Sequence, residues 1–90
     1  KVNDNFNEQY AYISEDGNSD IVLDSGDASN NVKINKDNLI IATSKTPASS
    51  EGVSGDKLGM IAWDASYVYV CTADYDGSTL IWKRAPIATW

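Results

Sequence analysis

Ninety residues carry seven basic against thirteen acidic side chains, a net charge of −6, and such a balance repels phosphate backbones and argues against nucleic-acid binding. No apolar stretch approaches the roughly 20 residues that span a bilayer, and no basic start followed by an apolar run marks a signal peptide, so membrane insertion is not expected. At this length only about 60% of the unfolded surface is buried on folding, which makes stability marginal unless a partner chain contributes.

The single Cys71 cannot close an intramolecular disulfide, and a small domain without such staples fits folding in a reducing cytoplasm. The first residue is Lys1 rather than Met, as in a processed product or a piece of a longer chain. With 42% hydrophobic residues gathered in short runs between Asn, Asp, Ser and Gly, the composition predicts a mainly β protein with generous turns.

In chain order, residues 1–14 form the first segment. Val2, Phe6, Tyr10 and Ile13 are spaced four, four and three apart, which predicts one apolar face of a short helix. Asn5 and Glu8 have capping-box spacing. A three-turn helix is marginal alone, so the stripe either packs on the following sheet or associates with copies of itself about a symmetry axis.

The second segment, residues 15–46, opens on the turn cluster Glu15-Asp-Gly-Asn-Ser19 and holds three strand candidates at 20–24, 31–35 and 38–43. In the middle one Val32 and Ile34 share one face and Lys33 takes the other, the alternation of a half-buried strand. These strands can pair within the chain or with neighbouring chains.

The third segment, residues 47–90, follows a small, polar stretch at 44–55 that reads as a surface loop or hinge. Three strands are predicted at 59–63, 67–73 and 79–85, joined by hairpin connections at 64–66 and 74–78, the second with Gly77 available for a positive φ. Tyr67, Tyr69 and Cys71 alternate with Val68, Val70 and Thr72, so both faces of the central strand are apolar and cover on both sides is expected.

The chain has no His, which removes Ser-His and Cys-His nucleophile pairs and the commonest transition-metal ligand. No phosphate loop or dinucleotide fingerprint is present. Asp74-Tyr-Asp76-Gly77 has the look of the opening of a calcium loop but lacks its further acidic ligands, and Asp with Gly is also hairpin-turn chemistry. No carboxylate pair stands out as a glycosidase acid and base. The expectation is a non-enzymatic protein with no cofactor and no metal. Its three Trp and five Tyr fill a core or an interface, or else stack on sugars from the surface.

Two stretches carry a resemblance. Val2-Asn-Asp-Asn-Phe-Asn-Glu-Gln-Tyr10 resembles a segment of tailed-bacteriophage fibre and appendage proteins, departing from it in having Gln9 where Leu is frequent. The stretch from Lys45-Thr-Pro47 through Gly55-Asp56, Gly59-Met-Ile-Ala-Trp-Asp64, Tyr67-Val-Tyr-Val-Cys-Thr-Ala73 and Ile81-Trp-Lys-Arg84 to Thr89-Trp90 is similar to a terminal module of marine phage virion proteins, those of cyanophages in particular. Together they cover a little over half the chain. The resemblance implies a virion structural protein, a fibre, spike, decoration or adaptor component, usually homotrimeric, assembled in the host cytoplasm and contacting other virion proteins. It gives Trp63, Tyr69, Cys71, Trp82 and Trp90 core or interface places in the terminal module, while the self-association reading of the helix stripe makes Val2, Phe6, Tyr10 and Ile13 the oligomer interface. The alternative is a receptor- or carbohydrate-binding module whose exposed aromatics meet a host-surface glycan.

Overall fold

The structure is a computed structural model that describes residues 12–90 apart from residues 19 and 27. It is mainly β, with two antiparallel sheets and no helix among the described residues. Two compact units divide it, Lys1–Leu39 and Ile40–Trp90.

In the first unit β1 (Tyr12–Glu15) pairs antiparallel with β2 (Ile21–Asp24), with Ile13 opposite Leu23 and Glu15 opposite Ile21. The acidic cluster between them closes the hairpin because its side chains cap the turn: Asn18 N donates to Asp16 Oδ1 at 2.8 Å and Gly17 N to Glu15 Oε1 at 2.9 Å. Alternation places Ile13, Leu23 and Ile21 on one face, and all three are exposed in the single chain. A two-stranded hairpin is marginal in water by itself.

Residues 1–11, which hold most of the predicted helix together with Val2, Phe6 and Tyr10, lie outside the described residues. At Tyr12 and Ile13 the chain is strand, not helix, because the acidic turn brings 21–24 back alongside and cross-strand hydrogen bonds replace the last helical turn. The strands expected at 31–35 and 38–43 are not formed. Alternation marks a face but supplies no neighbour, and no described strand lies alongside to complete a ladder. Val32, Ile34, Leu39, Ile40 and Ile41 are exposed as a result.

The second unit is a three-stranded meander: β3 (Ile61–Trp63), β4 (Tyr67–Cys71) and β5 (Trp82–Pro86), in the order β3-β4-β5. Register sets Ala62 against Tyr69 and Cys71 against Trp82, so the residues that alternate to one side converge there. Ala62, Tyr69, Cys71 and Trp82 with Ile81 make the buried core, and Tyr67 and Ala73 pack against it. Cys71 and Ile81 are wholly enclosed; burying an Ile side chain contributes about 1.5–3 kcal/mol.

That face is covered by the 44–56 segment, where a surface loop or hinge is expected at 44–55. Its backbone is tied to the sheet at several points: Ser50 O accepts from Ile81 N (2.8 Å) and Trp82 N (3.0 Å), and Lys45 N donates to Trp63 O (2.8 Å). The opposite face is open, with Ile61 59% and Val68 and Val70 about 40% exposed. Among the described residues, then, β4 has cover on one face, where cover on both is expected. The first connection spans 64–66 as expected, whereas the second runs from residue 72 to 81, because Asp76 winds 76–79 into a local turn and β5 starts only at Trp82. At the start of β3, Gly59 N bonds Cys71 O while Met60 O accepts from Cys71 N. Two residues thus face one, a bulge that Gly59 permits with φ +93°.

Candidate binding cleft

Two carboxylates fasten the covering loop to the core. Asp64 begins the β3–β4 connection, and its Oδ1 accepts from Ser66 N (2.8 Å) and Tyr67 N (2.9 Å), which shapes the turn. Its Oδ2 accepts from the hydroxyls of Thr46 and Tyr69, each at 2.6 Å. These donors favour the anion, the Thr46 hydroxyl foremost and the Tyr69 hydroxyl next, and hold the carboxyl well below the usual range. The same bond to Asp64 pushes the Tyr69 hydroxyl up.

Asp56 is buried at the other end of the loop. Its Oδ2 accepts from Trp82 Nε1 and Val53 N, both at 2.9 Å. The indole bond, then the Val53 amide, lower its pKa against the opposing effect of burial. Gly52 sits beside this pair because nothing larger fits: a Cβ would lie 2.7 Å from Asp56 Oδ2 and 3.0 Å from Ile81 Cδ1, at φ +79°.

Between the loop and the sheet lies an open cleft of about 530 Å3, lined by Thr46, Ser49, Ser50, Tyr69, Trp82 and Arg84 among others. A neighbouring cleft of about 440 Å3 shares Thr46 and Trp82 and reaches Met60 and Ile61. Arg84 stands opposite Tyr69 in the β4–β5 register, with its guanidinium carbon 4.0 Å from the centroid of the Tyr67 ring. The rings of Tyr67 and Tyr69 are themselves 5.8 Å apart and tilted by 50°.

Asp64 accepts two protein donors on each of its oxygens, and Asp56 accepts two on Oδ2. The Cys71 thiol is enclosed and donates to Ala73 O at 3.1 Å. No group of three or more His, Cys, Asp or Glu is placed to hold a metal among the described residues.

Of the residues singled out by sequence, Tyr69, Cys71 and Trp82 come together in the core. Trp63 is half-buried, its indole donating to Ile41 O at 2.9 Å. Trp90, expected in the core or an interface, is fully exposed in the single chain; it lies past β5, where no strand neighbours it. Ile13 is exposed on its hairpin. Sequence reasoning missed Asp56, Ile81 and the Thr46–Asp64–Tyr69 cluster. The available signal was that a buried indole N–H needs an acceptor, although nothing local says that the acceptor is Asp56.

Comparison with family models, with curated proteins and with solved structures finds no match to this chain.

Proposed function

We propose that this chain is a non-enzymatic structural component of a tailed-bacteriophage virion, a piece of a fibre, spike or adaptor that works as a homotrimer in assembly or host attachment. The resemblance of its aromatic strands and of residues 2–10 to phage appendage segments supports the reading. One structural observation carries it: Ile61, Val68 and Val70 lie together on the open face of the C-terminal sheet while the opposite face is filled. Ile13, Ile21 and Leu23 repeat the pattern on the hairpin. Contiguous apolar surface of this kind marks a protein interface, and a core of five buried residues among those described leaves a chain of this size much to gain from one.

Closed cyclic association buries the same surface on every copy, and a trimer places three open sheet faces toward one axis. Val2, Phe6 and Tyr10 remain candidates for that axis from sequence. The test is sedimentation velocity on the chain together with immunogold labelling of assembled particles. A trimeric species and label on an appendage are expected; a well-folded monomer at all concentrations, or unlabelled particles, would overturn the proposal.

A further inference from the structure

We propose that the cleft between the 46–50 segment and strands β4 and β5 binds a carboxylate-bearing saccharide. This deepens the attachment role above by naming a ligand class and a site, but it stands on observations independent of trimerisation. Its volume of about 530 Å3 lies within the range of small-ligand sites, roughly 300–1,000 Å3.

The lining chemistry selects the ligand. Arg84 is the cation of the cleft, and its guanidinium lies over the Tyr67 ring at 4.0 Å. The ring face attracts the guanidinium and holds it in place, and its N–H fork matches a planar carboxylate. Ser49 Oγ accepts from Gly52 N at 3.2 Å and so keeps its proton to donate. The hydroxyls of Thr46 and Tyr69 have committed their protons to Asp64 and keep lone pairs to accept. One side of the cleft thus donates and the other accepts. A polyol, each of whose hydroxyls does both, matches this mixture, whereas phosphate or sulfate needs donors throughout.

The net charge of −6 does not oppose the assignment locally. From Ile40 to Trp90 there are four basic and five acidic side chains, and Lys83 precedes Arg84. Asp64 accepts from the Thr46 and Tyr69 hydroxyls, so its charge disfavours an anion on those hydroxyls and leaves the guanidinium as the place for one. The ligand is thereby oriented, its carboxylate on Arg84 and its hydroxyls toward Thr46 and Tyr69.

The experiment is an amide chemical-shift titration of the whole chain with methyl glucuronide, methyl glucoside and acetate. Methyl glucuronide is expected to shift residues 46–50 and 82–84, at least tenfold more tightly than either of the other two. Arg84→Gln should weaken it at least tenfold with the thermal melt preserved. Arg84→Lys, which keeps the charge and loses the fork, covers the case in which the Gln variant fails to fold, and should fall between. No shifts with the glucuronide, equal affinity for the glucoside or for acetate, or undiminished binding in a folded Arg84 variant would overturn the inference. Sedimentation of the same sample separates the two proposals: a trimer that ignores the glucuronide sinks only this one, and a monomer that binds it sinks only the trimer.

Discussion

The indole Nε1 of Trp82 donates to Oδ2 of Asp56 at 2.9 Å, joining residues 26 apart in sequence. The bond places the largest core side chain and the end of the covering loop under one constraint. Asp56→Ala leaves that N–H and the Val53 amide without their acceptor, and each buried orphan costs about 1–3 kcal/mol. Chemical denaturation should register a loss of roughly 2–4 kcal/mol, smaller for Asp56→Asn, which retains an oxygen. Equal stability of the Ala variant and the parent would show that the bond contributes nothing.

Truncating the other partner acts through volume. Trp82→Ala empties a site walled by Ile81 and Cys71 and strands the Asp56 carboxylate, so about 3–5 kcal/mol is lost. A marginal domain unfolds at that cost. An unchanged thermal melt would mean that the site collapses without penalty.

Gly52→Ala is expected to destabilise although it adds one methyl group. An L side chain at φ +79° costs about 1–2 kcal/mol, and here the Cβ also meets Asp56 Oδ2 at 2.7 Å. Denaturant midpoints of Gly52→Ala and Gly55→Ala separate the two effects, since Gly55, in the same unit, has φ +100° with nothing within 4 Å. Equal losses would remove the steric part of the argument.

Acid should unfold the C-terminal unit. The folded carboxyls of Asp64 and Asp76 lie below their unfolded value of about 3.9, Asp76 at about 2 through the Thr79 hydroxyl and the Thr79 and Ser78 amides. A depressed folded pKa contributes stability that is fully present above the unfolded value and lost as pH falls through the folded one. Denaturant midpoints should therefore hold from pH 7 to 5 and decline from about pH 4 to 2. Asp64→Asn should flatten the decline, and an identical profile in that variant would remove Asp64 from the account.

Charging the open face tests association without touching the core. Val68→Asp and Val70→Asp alter side chains about 40% exposed in the single chain, so circular dichroism should be preserved while the sedimentation coefficient falls to that of a monomer. Loss of fold together with loss of assembly would place these valines in the core instead.

Much of the C-terminal sheet is legible in sequence. Tyr67 to Cys71 alternate cleanly, Asp64-Ala-Ser66 carries turn chemistry, and both find their expected places because local signals decide them. What covers a face is a different kind of information. Val68 and Val70 are as apolar as Tyr69 and Cys71, and only the path of the 44–56 segment decides which pair is enclosed. Residues 31–43 read as strands for the same reason: periodicity reports a face and leaves its neighbour unspecified. In the cleft, Arg84 and Ser49 are 35 positions apart by numbering, and no spacing rule joins residues brought together by a loop folding back over a sheet.

The two flanks of the C-terminal sheet bear on how many copies can be crowded together safely. Lys45 N occupies Trp63 O on one side, Ser50 O occupies the amides of Ile81 and Trp82 on the other, and Pro86 ends β5 without an N–H to offer. These ties and the proline shorten the edge open to a foreign strand, which hinders lateral sheet growth. An unguarded sheet edge at high local density grows into a fibril, and the ties at residues 45 and 50 act against that growth.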